Sequence, residues 1–571
     1  MDNLSSCPFG DADDPISLRD NGQSRHHIAH CTLATAQEYA ERIQAFAGVS
    51  GFKSLYSGHR FLGLANFLWR PYERRATRLE YYPAKADGHD ERFPFALLVN
   101  WQEASGKRTQ QLDMTTQLEP VDKATRSLIV LKGYPTADWL NALGAKFRID
   151  PDLFQRHLCF WSESGNAISR QNIAPRLPSA QAEIVMLRIT TIGVLTGSLQ
   201  STQRGTPQEV IDSLRRRTSN EMAGYISRLS SLDSPDIALG DSIVREFVML
   251  DLNHFAIEQI ITINVASNND GGWLSTVWSD VGRGLEEGVE GPWRPNRLRL
   301  KSSEMDYLPT SIFKHRMALK SGLRRYESKH SIVRPQSASM LFEGYDRHLD
   351  AAQAALDPIY ALSPIFKFAL FSEVALLDTI ESNIRRELTH SAITAQENPT
   401  MSNLLYNQQI LKRHIDSLKE VIEFIEGVRR RRWYQAILAN PNNKGAEEIV
   451  LVLDDFRSAF GRAQSLCDEC IQGIGLVAHN ATIQESRKAF AEARSVTKLT
   501  KLALVFVPLS FTTSAFGMNV KELGNGDAPS LWTWSVLTVG IAMIVYAFFR
   551  WDVAQLRGFA RVLARYCHPR P

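Results

Sequence analysis

Apolar positions recur three and four residues apart over a long stretch near the end of the chain. Ile449, Val452, Phe456, Phe460, Ala463, Cys467, Cys470, Ile474, Val477 and Ala481 make one stripe, the mark of a single helix face. The pattern predicts a helix from about Ala446 to Met518, with no proline before Pro508. Some ~70 residues would form a rod ~105 Å long, far beyond an ordinary globular helix. A stalk or coiled coil is therefore predicted. Its stripe must pack on something, and copies of the same chain are the natural partner. An earlier helix is predicted over Asn403 to Leu438, with Leu404, Ile410, Leu411, Leu418, Ile422 and Ile425 on its inner face. The turn-rich link ANPNNKG, Ala439 to Gly445, folds it back as an antiparallel hairpin. From about Phe342 to Glu387 the pattern is again helical, with a break expected near Pro364.

Two uncharged runs follow the long helix. Leu502 to Met518 is short for a span, and Leu499 and Thr500 extend it past Lys501. Leu531 to Phe549, LWTWSVLTVGIAMIVYAFF, is the second, with Trp532, Trp534 and Trp551 at its ends as interfacial aromatics. Arg487, Lys488, Arg494, Lys498 and Lys501 precede the first run, and Arg550, Arg557, Arg561 and Arg565 follow the second. The positive-inside rule then places both long flanks in the cytosol and the connector VKELGNGDAPS outside.

Period-2 and β-branched stretches dominate the front half. RFPFALLVNWQ, SLIVLKGY, AEIVMLRITTIGVLTG and NRLRLKS read as strands. ADWLNALGAKF and DPDLFQRHL read as short helices, the second opening at Asp150 and Pro151. GRGLEEGVEG, Gly282 to Gly291, reads as a loop, and GGWLSTVWSD fits either element. The predicted fold class is an α+β cytosolic domain followed by long stalk helices and two C-terminal transmembrane helices. The expected divisions are 1–90 poorly assigned and partly disordered, 91–340 the α/β domain, 341–498 long helices and stalk, 499–519 the first span, 520–530 the outer loop, 531–550 the second span and 551–571 a basic tail.

Composition narrows the function. The 571 residues carry 65 basic and 62 acidic side chains, a net charge of +3, which speaks against a nucleic-acid binder. Mean hydropathy is −0.21, so most of the chain is water-soluble. Six scattered cysteines give no disulfide framework. The lone CxxC of Cys467 and Cys470 falls on the helical stripe and reads as a buried face rather than a zinc or redox site. RHHIAH, with His26, His27 and His30, reads as a polar tail. Arg429 to Arg432 reads as a solvated helix face paired with neighbouring acids, with lipid phosphate or nucleic acid as the other reading. No P-loop, dinucleotide fingerprint or HExxH is present, and the chain reads as no enzyme. The acidic N-terminus has neither a signal-peptide core nor an Arg-rich presequence. The expected location is the plasma membrane, ahead of the mitochondrial inner membrane or vacuole.

The final hairpin carries a recognisable motif. Gly517, Met518 and Asn519 stand at the outer end of the first span, VPLSF (Val507 to Phe511) lies behind them, and a Trp-containing second span follows a short loop. In these features the chain resembles the CorA family of magnesium transporters. LIVLKGYPTADWLNALGAKFRIDPDLFQRHL and IFKFALFSEVALLDTIESNIRREL are more faintly similar to the family's early strand-helix-helix unit and first long cytosolic helix. The likeness spans roughly Thr125 to Trp551. Phe516 stands where the family has Tyr, Val507 where it has Met, and KELGNGDAPS replaces the common Met-Pro-Glu-Leu loop.

The resemblance implies a homopentamer in membrane lipid, with the first span lining a pore for divalent cations. Magnesium is the cargo and a regulator; no organic cofactor or nucleic acid is implied. Gly517, Met518 and Asn519 would be the ion-recognition end. A ring of amide and carbonyl oxygens at a helix C-terminus suits a hydrated Mg2+, which sheds water reluctantly. By themselves Gly and Asn equally suit a helix stop. Ser510, Val507 and Leu499 are read as sharing a helix face with Asn519, the first as a polar ring and the others as apolar constrictions. Ordinary interhelical packing explains them as well. Pro508 is the expected hinge. Glu522 and Asp527 either concentrate cations at the mouth or sit in a solvated loop. Asp378, Glu381, Asp454 and Asp455 are the candidates for the inter-subunit regulatory metal the family implies. Two rival functions remain at this point: transport of zinc, cobalt or nickel, and a non-conducting scaffold or sensor derived from this family.

Overall fold

The computed structural model describes residues 35–52, 54–76, 93–102, 106–118, 125–159, 183–195, 205–230, 237–267, 272–294, 305–312, 336–343, 345, 349–393, 397–440, 443, 445–516, 530, 532–544 and 546–547. The chain forms two compact units, Met1–Ile474 and Gly475–Pro571.

The first unit is built on an eight-stranded mixed sheet. Its strands are β1 (Ala96–Gln102), β2 (Gly106–Leu112), β3 (Arg126–Lys132), β4 (Ile184–Leu195), β5 (Glu246–Met249), β6 (His254–Ser267), β7 (Trp273–Ser279) and β8 (Met305–Tyr307). The order is β2-β1-β3-β7-β6-β4-β8, with β5 also on β6. Only β3 and β7 pair in parallel among these neighbours. Both faces are covered, so strand residues alternate between two cores rather than between core and water. Leu97, Val99, Leu128 and Val130 enter one core, and Leu98, Ile129 and Leu131 enter the other.

The second of these cores is filled by α1 (Ala36–Ala47), α2 (Leu62–Ala76), α3 (Ala137–Phe147), α4 (Pro151–His157) and α5 (Pro207–Ser230). The region ahead of residue 91 thus holds two packed helices. The first opens with a capping box, in which the Thr35 hydroxyl accepts from the Glu38 amide at 3.2 Å and the Glu38 carboxylate accepts from the Thr35 amide at 2.8 Å. Helix α4 opens as its sequence predicts, with the Asp150 carboxylate capping the Asp152 amide at 2.8 Å and Pro151 in the first turn.

At one end of the parallel pair, three backbones cross in close contact. Gly133 (φ 70°) and Gly240 (φ 82°) adopt left-handed conformations. A Cβ on Gly133 would lie 2.5 Å from the Gly240 carbonyl oxygen, and one on Gly282 would lie 2.0 Å from it.

The other core holds α6 (Ala351–Leu356), α7 (Pro358–Ile393), α8 (Glu397–Arg429), α9 (Arg432–Leu438) and the first part of α10 (Gly445–Phe516). Helix α7 runs through Pro364 without a break, contrary to the sequence expectation. A proline forfeits one backbone hydrogen bond, and the buried Ile365, Phe366, Ala369, Leu376 and Leu377 hold the helix in its core. The break falls instead at Asp357, whose carboxylate caps the Ile359 amide at 2.9 Å. The helix expected over Asn403 to Leu438 starts earlier and is interrupted at Arg431, whose ψ of 138° is extended. That interruption lets Tyr434 bury completely and donate its hydroxyl to Asp357 at 3.1 Å.

The apolar stripe of α10 is real but its partner differs from the expected one. From Ile449 to Cys470 it packs in this chain's own core rather than on copies of itself. Phe456 meets Phe366 edge-on with ring centroids 6.4 Å apart. Cys467 and Cys470 are buried there, and burial raises both thiols, Cys470 to about 12. Such thiols are inert. RFPFALLVNWQ, SLIVLKGY and AEIVMLRITTIGVLTG contain β1, β3 and β4, and the ambiguous GGWLSTVWSD contains β7. NRLRLKS, RHHIAH and residues 551–571 lie outside the described residues.

Candidate functional site

Among the described residues, α7 and α10 are long and apolar enough to cross a membrane. In α7 67% of the most apolar stretch is buried inside the protein, against 6% in α10. The first is therefore a core helix, and the second needs another apolar medium. Leu499 and Val507 are 66% and 64% exposed, and Leu502, Phe506 and Phe511 are similarly uncovered. A shorter apolar helix, α11 (Trp532–Ile544), follows. Within this second unit, the Thr538 hydroxyl donates to the Thr512 hydroxyl at 3.1 Å. Both are buried. Thr512 donates its own hydrogen to the Leu509 carbonyl at 3.0 Å, and the single Thr538 hydrogen is shared between Thr512 and the Trp534 carbonyl at 2.8 Å, so neither hydroxyl is stranded in an apolar setting.

That contact orients α10. At ~100° per residue, Leu499, Val507 and Ser510 fall within ~80° of one another, and each lies ~140° or more from Thr512. The face that carries them is turned away from α11. Sequence reasoning named these three residues and missed Thr512 and Thr538. A Thr recurring in an uncharged span was the available signal. Asn519 is a different matter. Gly517, Met518, Asn519, Glu522 and Asp527 lie outside the described residues. An α-helical continuation would put Asn519 ~180° from Ser510, so it joins that face only where the chain leaves α-geometry after Phe516. Residue 508 lies within the helix backbone.

The acidic candidates fall into separate groups in one protomer. Asp378 and Glu381 on α7 both bind Arg462 of α10, the former at 2.6 Å, and Glu381 also binds Arg385. The Arg462 hydrogen bond, followed by its charge, lowers the Glu381 carboxyl. Asp454 pairs instead with Arg457 at 3.3 Å, which reaches Glu426 at 2.5 Å. Asp455 is exposed. No group of three or more His, Cys, Asp or Glu side chains suited to a metal occurs among the described residues. A cation at Asp378 and Glu381 would have to displace Arg462.

The strongest electrostatic feature escaped the sequence. Glu258, on the central strand β6, is 1% exposed and receives Arg188 of β4 at 2.6 Å and Arg413 of α8 at 3.1 Å. His414 of α8 lies between Glu258 at 3.3 Å and Glu373 of α7 at 2.8 Å. Burial would neutralise His414, but the two carboxylates overcome it and raise it to about 9. Burial is likewise overcome at Glu258, where His414, Arg188 and Arg413 hold the carboxyl well below its ordinary range. This cluster clamps α7 and α8 onto the sheet. A second buried set does the opposite. His157 stacks on Trp278 at 4.2 Å with Nε2 3.2 Å from Asp280, yet burial lowers it to about 4 and Asp280 only partly compensates. Arg245, bound to Asp280 through two 2.7 Å contacts, already neutralises that carboxylate.

Residues 344–551 match the family described as CorA-like Mg2+ transporter protein. The match takes in α6 to α11 and the Gly-Met-Asn segment, and it leaves out the strand-helix-helix likeness at Leu128 to Leu158. No curated protein matches the sequence. Among solved structures, the chain aligns with "structure of the full-length CmaX protein" at 10% identity, over 81% of this chain and 99% of that one, with a TM-score of 0.35, a superposition too loose to place any residue.

Proposed function

We propose that the chain is a CorA-like membrane channel that carries hydrated Mg2+ down its electrochemical gradient. In this reading five copies surround a pore, both termini are cytosolic, and the plasma membrane is the site of action. The observation that carries it is the orientation of α10 by Thr512 and Thr538. It leaves Leu499, Val507 and Ser510 together on the face away from α11, the arrangement a pore-lining span requires, within a stretch that matches a magnesium-transporter family. Gly517 to Asn519 follow directly at the end of that span. Each Asn519 would supply a neutral amide oxygen to the first-shell waters of the ion. Neutral ligands bind loosely enough for release, where a carboxylate ring would hold longer. Ser510 would offer the next polar ring, with Val507 and Leu499 as apolar constrictions. Asp378 and Glu381, freed from Arg462, are the first candidates for a regulatory cation.

Uptake of Mg2+ into liposomes holding the purified chain tests this. Uptake is expected, and Asn519→Ala should lower it, because one recognition ring is lost. Uptake of zinc, cobalt or nickel without magnesium would reassign the cargo. Absence of uptake for every divalent ion would refute transport altogether.

A further inference from the structure

The interruption between α8 and α9 places four arginines, Arg429 to Arg432, in consecutive positions across a helix break. Arg430 and Arg432 are exposed, and Arg429 and Arg431 are half-buried. Sequence reasoning paired this run with neighbouring acids, and the structure shows otherwise. Among the described residues none of the four makes an ion pair, and the carboxylates in the preceding turns are taken. Glu423 faces Lys419 at 3.9 Å and Glu426 faces Arg457 at 2.5 Å. From 427 to 446 the sequence holds five basic residues and no acidic one, in a chain whose net charge is only +3.

The backbone that carries these arginines is firmly anchored. Tyr434, fully buried, donates to Asp357, which also accepts from the Asn443 amide at 3.2 Å. Trp433 packs edge-on against Tyr434 with centroids 5.5 Å apart, and the Gln435 amide closes back on the Arg429 carbonyl. A surface already ordered loses less entropy when it binds. Guanidinium forks match phosphate oxygens in pairs. Four of them within one turn exceed what a single carboxylate can neutralise.

We propose that the Arg429–Arg432 turn is a binding surface for phosphate-bearing polyanions, either a free polyphosphate or a phosphorylated lipid headgroup. The surface is independent of the transport reading, since it lies outside the spans and is assayed without flux. The full chain in phosphatidylcholine nanodiscs is titrated with inorganic triphosphate in metal-free buffer. In parallel it is floated with phosphatidylcholine vesicles containing phosphatidylinositol bisphosphate. Binding of triphosphate alone assigns the free anion, and binding of vesicles assigns the headgroup. The exposed pair Arg430→Gln with Arg432→Gln, which removes no packed side chain, should weaken binding about tenfold or more while elution volume and thermal unfolding stay unchanged. The charge-preserving pair Arg430→Lys with Arg432→Lys should still bind more weakly than the native chain, because an ammonium lacks the fork. Binding of neither probe by the native chain, or equal binding by the Gln variant, would overturn the proposal.

Discussion

One helix, α10, lives in two settings. Between Ile449 and Val477 one apolar stripe is buried, Val452, Phe456, Ala463 and Cys470 among it; from residue 485 to 503 every position is exposed. The same helical geometry serves both. What changes is where the apolar partner comes from: the first stretch finds it in α7 and α8 of its own chain, and the last must find it in lipid or in other copies. An apolar stripe read from sequence announces a need for burial but does not say who meets it.

The largest way to break this contrast is Phe456→Ala. It should destabilise the first unit by about 3–5 kcal/mol, the usual loss for a buried aromatic, read as a lower denaturant midpoint. Phe490→Ala on the exposed stretch should change stability by less than about 0.5 kcal/mol. Equal losses would erase the distinction between the two stretches.

The next effect concerns the clamp that holds α7 and α8 in place for the buried stretch. His414 has a raised folded value, so its contribution is fully present below about 6.5 and is lost as pH rises through about 9. The stability difference between native chain and His414→Gln should therefore shrink over that window, by an amount on the order of 3 kcal/mol. His157 has a lowered folded value and acts in the other direction, losing stability as pH falls from about 6.5 toward 4. Measuring the difference between the two proteins at each pH removes that opposing trend. A difference constant from pH 6 to 9.5, roughly the window set by these values, would refute the charged clamp.

The smallest effect sharpens the exposed end. Thr512→Val removes the bond to Thr538 and should cost about 0.6–1 kcal/mol. Its signature is greater separation of the two helices, measurable by electron-spin labels on α10 and α11. Unchanged spin distances would mean that apolar contact alone orients α10.

Much of this architecture is legible along the chain because it depends on neighbours no more than about four positions away. The α10 stripe, the Asp150–Pro151 helix start and the strands β1, β3 and β4 all belong to that class. The continuation of α7 through Pro364 was not legible, since core packing on the helix outweighs a local propensity. The break at Arg431 depends on Tyr434 reaching Asp357, 77 positions away. The ion clamp was hidden for the same reason: His414 and Glu258 are 156 positions apart, and neither stands in a motif. At the candidate pore, spacing alone grouped Leu499, Val507 and Ser510. By the same spacing Asn519, which lies outside the described residues, stands ~180° from Ser510.

The crossing of Gly133, Gly240 and Gly282 has a bearing on how this chain can change over time. The Gly240 backbone fills the volume that a methyl group would occupy on Gly133 or on Gly282, so a replacement at either cannot be accommodated by a neighbouring change of side chain, and a methyl group on Gly240 itself would meet the Phe93 ring from a left-handed backbone. Connecting segments tolerate altered length and composition, whereas these three codons admit almost no drift. Among divergent descendants they should serve as fixed landmarks for aligning the sheet, long after its strands have lost recognisable identity.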